Sequence, residues 1–178
     1  MEMSRSKKTG AKLALVEIAL FGVLGALTFG AKFVMSPLPN IEPVSLFVML
    51  FAVTFGKKAL FPIYVYIVME FLVFGIGIWN VFYLYVWLVL FIAALLLRKM
   101  THPVGWALVS GVFGLFFGFL CALAHLVTGG PAFAISWWAS GIPYDLLHCG
   151  GNFVIALVLF VPLRKVLGKL YEQMKKRL

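Results

Sequence analysis

The chain has 178 residues, of which 63% are hydrophobic and only 12% are charged, and its mean hydropathy is +1.07. A chain with so few polar side chains cannot cover the surface of a water-soluble domain, which excludes an ordinary soluble fold and predicts an integral membrane protein. The formal net charge of +9 would suggest a nucleic-acid partner in a soluble protein. In a membrane protein, basic residues concentrate in cytoplasmic loops, and this tendency has to be tested first as the explanation of the positive net charge.

Six hydrophobic segments follow one another along the chain, separated by basic or Gly- and Pro-rich residues. A hydrocarbon core about 30 Å thick is crossed by about 20 apolar helical residues, so we expect each segment to cross the membrane once. The second segment is short, and we expect its flanks to extend it. The predicted spans are residues 13–35, 44–55, 59–74, 81–97, 104–127 and 140–163.

The basic residues divide unevenly among the connecting loops. With six spans and cytoplasmic amino and carboxyl termini, 14 of the 15 Lys and Arg residues lie on cytoplasmic flanks, and only Lys32 is left over. An odd number of spans or the inverted orientation would destroy this segregation. We therefore predict an all-α integral membrane protein with one six-helix domain, residues 1–178. Its basic flanks are residues 1–12 and 164–178, and the second flank is expected to lie on the cytoplasmic surface.

The sixth span carries Asp145, His148 and Asn152 where hydrocarbon is expected. Their spacings of three, four and seven residues place all three on one helical face. A charged side chain facing lipid is costly, so this face must contact protein or a water-filled cavity, and such residues are candidates for function. The structural alternative is that Asp145 and His148 form a mutually satisfied buried pair.

With this topology, the other ionisable residues also fall in the outer half of the membrane or in external loops. A proton relay or ion channel needs polar groups through the whole thickness, so the one-sided distribution favours a binding pocket open to the exterior. The structural alternatives are that Glu70 pairs with Lys32, and that Glu42 and Asn40 only cap a turn. Excess carboxylates favour a neutral or amine-bearing ligand over a dianion.

Aromatic and polar residues together line the predicted pocket, and this mixture suits a small ring-bearing molecule with several hydrogen-bonding groups. For the Trp and Tyr residues, the alternative is an ordinary aromatic belt at the membrane interface. Trp137 and Trp138 are expected in a short interfacial helix. We predict no catalytic or metal site, and the two cysteines, Cys121 and Cys149, are interpreted as packing residues. The candidate substrate-binding residues are Lys32, Glu42, Glu70, Trp79, Asn80, Tyr83, Trp137, Trp138, Tyr144, Asp145, His148 and Asn152.

Over essentially its full length, the chain resembles the substrate-binding S component of an energy-coupling factor (ECF) vitamin transporter. The similarity rests on the six spans, the cytoplasmic ends and the basic start before a first helix rich in small residues. It also rests on two segments, PNIEPVS at 39–45 and GIPYDLLHCGGN at 141–152. It implies a multi-pass protein of the bacterial cytoplasmic membrane that binds a vitamin or vitamin-like molecule at the outer face.

The resemblance also implies partner proteins. In that family, a small-xxx-small motif of the first helix docks on a membrane coupling subunit, and here Gly22, Ala26 and Gly30 match it. The alternative for these residues is internal helix packing. The chain has no GxxxxGK[ST] phosphate-binding loop, so the resemblance implies that two partner ATPase subunits hydrolyse ATP and that the chain needs no cofactor.

Two other functional classes remain open. An intramembrane enzyme could pair Ser110, Ser136 or Ser140 with His125 or His148, although no HExxH or GxSxG motif is present. A stand-alone secondary transporter is the second alternative, although such proteins often contain internal repeats and none is evident here. The ligand also stays open among a B6 vitamer, another ring-bearing vitamin, a corrinoid and a modified-base precursor.

Overall fold

The computed structural model describes the backbone of residues 2–177 and the side chains of residues 13–177. No strand occurs in this range, which confirms the predicted all-α class for the described part of the chain. Arg5, Lys7, Lys8 and Lys12 of the predicted amino-terminal flank have side chains outside the described residues, as do Met1 and Leu178. The elements are α1 (Glu2–Met35), α2 (Val44–Phe55), a 3-10 turn (Gly56–Ala59), α3 (Leu60–Phe74), α4 (Ile78–Leu96), α5 (Pro103–Leu115) and α6 (Phe117–Arg177).

Four helical stretches within the described range are long and apolar enough to cross a membrane. They are Leu13–Met35, Val44–Phe74, Ile78–Leu96 and Pro103–Arg177. The second stretch contains the 3-10 turn between α2 and α3, and the fourth contains two helical arms that meet at a kink. By length and composition, these helices are compatible with a membrane protein.

The centre of the bundle is α2, a helix of 12 residues that is about 18 Å long. It is apolar on all sides, with Val44, Met49 and Ala52 completely buried. A helix that is hydrophobic all round is covered by protein or by lipid, and the burial of α2 shows that protein covers it. Accordingly, α4 and α6 both pack against α2, which places the loop before α2 close to both of them.

Helix α1 lies at the side of the bundle and packs mainly against α3. The two helices approach closely at Gly25, where an added Cβ would come within 2.6 Å of the Val65 side chain. Phe21 is buried on the same side of α1, whereas Val23 and Val34 on the opposite side are exposed. One face of α1 is therefore packed against the bundle, and the other has no neighbour within the described chain.

Helices α5 and α6 form a tight antiparallel hairpin. At Gly130 the backbone adopts φ 77°, a conformation that favours glycine, and α6 divides there into a first arm (117–129) and a second arm (131–177). The second arm returns along α5, and a Cβ on Gly114 would lie 2.8 Å from the carbonyl oxygen of His148. A Cβ on Gly111 would similarly lie 3.3 Å from Phe153. Glycine at these two positions allows α5 and the second arm of α6 to approach closely.

Several predicted boundaries are corrected by the structure. Trp137 and Trp138 lie within the continuous second arm of α6 and not in a separate short helix. The helix also continues past residue 163, because residues 164–177 are mostly good helix formers, and it buries Tyr171 against Phe55. Helix α4 begins at Ile78, three residues before the predicted span, so Trp79 and Asn80 belong to its first turn.

Candidate functional site

The end of the bundle where α1 stops contains an ion pair between two helices. The Lys32 ammonium, in the last turn of α1, lies 2.9 Å from Oε2 of Glu70 on α3. It also donates a hydrogen bond of 2.8 Å to the hydroxyl of Tyr83 on α4. The nitrogen also lies 5.8 Å from the ring centroid of Tyr66, a distance at which a cation interacts with an aromatic ring.

The loop between α1 and α2 adds a second carboxylate beside this pair. Glu42 lies 3.9 Å from the Lys32 ammonium and 3.9 Å from Nε2 of His148 on α6. The loop is held in place because the Asn40 side chain donates a hydrogen bond of 3.2 Å to the Tyr144 carbonyl. We use "Lys32 cluster" for Lys32, Glu42, Tyr66, Glu70, Tyr83 and His148.

Glu42 differs from the other two charged residues of the cluster because it belongs to a loop. Its side chain is only 14% exposed. Burial raises the pKa of the Glu42 carboxyl, and repulsion from Glu70 acts in the same direction, whereas the Lys32 ammonium opposes the shift.

Several polar atoms in and beside the Lys32 cluster have no hydrogen-bond partner among the described residues. In the cluster, they include Glu70 Oε1, the Tyr66 hydroxyl and both ring nitrogens of His148. The indole nitrogen of Trp87, which packs on the rings of Tyr66 and Tyr83, is a further example. A buried polar group without a partner costs about 1–3 kcal/mol, so this concentration of such groups points to a function other than stability.

The polar face of α6 points inward, as the spacing predicts: Asp145, His148 and Asn152 are all buried. Asp145 and His148 do not form the mutually satisfied buried pair that was the structural alternative to a functional site. Asp145 Oδ1 instead accepts a hydrogen bond of 2.9 Å from the backbone N–H of Gly118. This N–H lies in the first turn of α6, where backbone N–H groups have no partner within the helix. Asp145 therefore also caps a helix start, while its Oδ2 has no hydrogen-bond partner among the described residues.

Asn152 lies one turn beyond His148 and joins α6 to two other helices. Its amide donates to the Ser45 hydroxyl of α2 at 2.9 Å and to the Ser110 carbonyl of α5 at 3.4 Å. The side-chain oxygen of Asn152 has no hydrogen-bond partner among the described residues. This residue lies at the base of the polar face and fixes the second arm of α6 against the core.

The predicted aromatic lining does not converge on one point. Trp79 and Tyr144 are about half exposed, and Asn80 caps α4 by accepting a hydrogen bond from the Gly77 N–H. Trp137 packs edge-on against Phe82 and also contacts His125, whereas Trp138 packs on Phe119. Of the predicted aromatic residues, only Tyr83 contacts the Lys32 cation.

Sequence reasoning missed Tyr66, which belongs to the Lys32 cluster, and its neighbour Trp87, and both are completely buried. A signal for both was available in the helical period. Tyr66 precedes Glu70 by four residues on α3, and Trp87 follows Tyr83 by four residues on α4, so each shares a face with a predicted site residue.

A second polar cluster occupies the opposite end of the bundle. The Lys58 ammonium lies 2.5 Å from Oε2 of Glu17, and the Tyr171 hydroxyl donates a hydrogen bond of 2.6 Å to Oε1 of the same carboxylate. These contacts join the early part of α1, the 3-10 turn and the end of α6. Both oxygens of Glu17 are thus paired, which suits a structural role better than a binding role.

Two apolar surface grooves of the described chain lie elsewhere. One of about 540 Å³ runs between α4 and α5, where Val89, Leu108 and Phe116 are among its lining residues. Another of about 410 Å³ lies beside Glu17 and Phe61. Neither is lined by residues of the Lys32 cluster.

The small residues predicted to dock a partner point away from the bundle. Ala26 is exposed, and an added Cβ on Gly22 or Gly30 would meet no atom within 4 Å. Within the described residues, α1 packs against α3 at Gly25 and not through Gly22 or Gly30. Packing inside the bundle therefore does not explain this ladder of small residues.

No group of three or more His, Cys, Asp or Glu side chains within the described range is arranged to hold a metal ion. Comparison of the sequence with models of protein families and with curated proteins, and of the fold with solved structures, finds no match.

Proposed function

We propose that the protein is a membrane-embedded binding protein that captures a small ring-bearing molecule, a vitamin or a vitamin-like compound, in the Lys32 cluster. In this proposal it acts as the substrate-binding S component of an ECF-type importer in a bacterial cytoplasmic membrane. It delivers the ligand inward with a membrane coupling subunit and two ATPase subunits, which supply the ATP hydrolysis. It is not an enzyme, it needs no cofactor of its own, and it binds no nucleic acid.

One observation carries the proposal: three helices and a loop bring charged and aromatic side chains together at one end of the bundle. Lys32, Glu70 and Tyr83 come from α1, α3 and α4, and Glu42 comes from the loop before α2. Unpartnered polar atoms beside aromatic rings are typical of a site that binds a polar organic ligand.

The proposed topology has six crossings with both ends in the cytoplasm. It counts α2 and α3 as separate crossings and the two arms of α6 as parts of separate crossings, since turns interrupt both stretches. The basic 3-10 turn, with Lys57 and Lys58, then faces the cytoplasm. The Lys32 cluster then lies toward the exterior, where a nutrient arrives.

The proposed docking surface is the exposed ladder of Gly22, Ala26 and Gly30 on α1. Small side chains allow a partner helix to approach closely, and this face of α1 has no neighbour in the described chain. The coupling subunit is the proposed occupant. The ladder and the binding cluster are on the same helix, so α1 could couple ligand capture to docking.

The proposal is tested by purifying the chain and identifying copurifying small molecules by mass spectrometry. We expect a ring-bearing compound that is retained by the wild type and lost in Glu70→Gln. Glu172→Gln is the matched control, since Glu172 is exposed at the end of α6. Equal retention by the two variants, or no retained molecule in the wild type, would contradict the binding site.

A second measurement separates an importer component from a stand-alone transporter. The chain is reconstituted alone in lipid vesicles, and uptake of the identified compound is measured with and without an ion gradient. We expect no uptake without ATPase partners. Uptake driven by an ion gradient in these vesicles would support the secondary transporter instead.

A further inference from the structure

The Lys32 ammonium is held in the manner of a bound ligand. Its contacts are a carboxylate at 2.9 Å, the Tyr83 hydroxyl at 2.8 Å and the ring of Tyr66, whose centroid is 5.8 Å away. A carboxylate combined with aromatic faces is the environment in which proteins recognise organic ammonium groups. The cluster therefore contains a cation site that a side chain of the protein itself occupies.

The cluster offers more acceptor capacity than this ammonium uses. Two carboxylates, Glu70 and Glu42, lie within 4 Å of a single cation. Glu70 is 3% exposed, and its Oε1 has no hydrogen-bond partner among the described residues. A ligand with a positive charge and additional N–H donors can satisfy this oxygen, whereas an anionic ligand would meet two like charges.

The position of Lys32 allows its ammonium to leave. The residue lies in the last turn of α1, beside the loop, and its side chain is 20% exposed. A lysine side chain is flexible and can carry its charge to the surface while its methylene groups stay against apolar neighbours. Exchange of this ammonium for that of a ligand leaves the charge of the cluster unchanged.

We propose that the ligand is an organic ammonium compound with an aromatic ring, and that it enters by displacing the Lys32 ammonium from Glu70 and Tyr83. Lys32 thus closes the site until the ligand arrives. The ring of the ligand packs against the aromatic side chains around the cluster, where Trp87 lies beside Tyr66 and Tyr83. The inference rests on the proposed binding function and further specifies that the ligand is positively charged.

The test uses two probes that share a ring and differ in charge, benzylammonium and benzoate. Binding of each to the purified full chain is measured by calorimetry, and the stabilisation that each confers is measured by thermal unfolding. The variants are Lys32→Met, which removes the competing cation, and Glu70→Gln, which removes its main partner. Lys57→Met is the control, because Lys57 is exposed on the 3-10 turn.

The expected sign of the Lys32→Met effect distinguishes the two kinds of ligand. Benzylammonium should bind the wild type more tightly than benzoate does. Its affinity should rise about tenfold in Lys32→Met, the factor expected if Lys32 holds the site in about nine molecules of ten. Benzylammonium should also raise the unfolding temperature of Lys32→Met more than that of the wild type. Binding should be lost in Glu70→Gln and unchanged in Lys57→Met.

Weaker benzylammonium binding in Lys32→Met would overturn the inference. So would a wild-type preference for benzoate that disappears in this variant, because Lys32 would then be the counter-ion of an anionic ligand. Failure of both probes to bind the wild type and Lys32→Met would overturn it as well. The proposed binding function fails on a different result, namely that no small molecule copurifies with the chain.

Discussion

Lys32 and Glu70 form an ion pair of 2.9 Å that joins the last turn of α1 to α3. Glu70 is almost completely buried, and Lys32 is one-fifth exposed. The pair is therefore both a stabilising contact between two helices and the centre of the proposed binding site. Changes at either residue should affect stability and binding in ways that separate experiments can resolve.

Glu70→Gln should destabilise the protein by about 1.5–3 kcal/mol, because the charge-assisted hydrogen bond between the Lys32 ammonium and the Glu70 carboxylate is lost. The double variant Lys32→Met, Glu70→Gln should recover part of this loss, since it also removes the ammonium that Glu70 neutralises. The measurement is the free energy of unfolding in mixed micelles, with Glu172→Gln as the control. Purely additive effects of the single changes would contradict a direct interaction between the two residues.

Gly114→Ala should destabilise the hairpin of α5 and α6 by about 1–3 kcal/mol, because the new Cβ would lie 2.8 Å from a backbone oxygen that cannot move freely. Gly150→Ala is the matched control on α6, where an added Cβ meets no atom within 4 Å. We expect the control to be neutral or slightly stabilising in thermal unfolding. A similar loss in both variants would mean that close approach of the helices is not the cause.

Tyr171→Phe should destabilise the protein by about 1–3 kcal/mol, because the buried Glu17 carboxylate would lose one of its two hydrogen-bond donors. Tyr144→Phe serves as the control, since Tyr144 is 56% exposed. Limited proteolysis should also cut the end of α6 sooner in Tyr171→Phe. Unchanged stability and proteolysis would show that the Glu17 contact does not hold this end of the helix.

Glu42 should make stability fall as the pH rises. Burial raises the pKa of its carboxyl in the folded protein above the ordinary value of 4.5, so the folded state binds a proton more tightly than the unfolded state. The contribution is complete below pH 4.5 and is lost as the pH rises through the higher pKa of the folded state. Thermal unfolding of the wild type and Glu42→Gln, compared across this range, should give a difference that changes with pH. A constant difference would contradict the shift.

Ala26→Phe should prevent copurification with a coupling subunit and its ATPases while leaving the fold intact, because the bulky ring would block close approach of a partner helix. The residue is exposed, so we expect less than about 0.5 kcal/mol of destabilisation. Ala139→Phe, at an exposed alanine of α6, is the control. Normal copurification of Ala26→Phe would place the docking surface elsewhere.

Local sequence patterns predicted several features of the site. The spacing of Asp145, His148 and Asn152 placed them on one face, and all three are buried on that face. The ion pair of Glu70 with Lys32, which the sequence suggests as the structural alternative to a binding role for Glu70, is also present. These inferences succeeded because helical periodicity determines which residues of one helix point the same way.

Contacts between helices were harder to predict. Nothing local indicated that Asp145 would cap the start of α6 at Gly118, or that Tyr66 would contact the Lys32 cation. On α1, Gly22 and Gly25 are only three residues apart, yet the first faces outward and the second touches Val65. That difference depends on the rotation of α1 against α3, which many side chains determine together.

The all-helical class and the apolar stretches could be predicted without the fold, because hydropathy, helix propensity and loop charge are properties of short segments. Tertiary structure alone decided which polar side chains meet, and in particular that Lys32 occupies a cation site shared by Glu70 and Tyr83. The reason is that these residues come from different helices, and their distances depend on how those helices rotate and cross when the bundle packs.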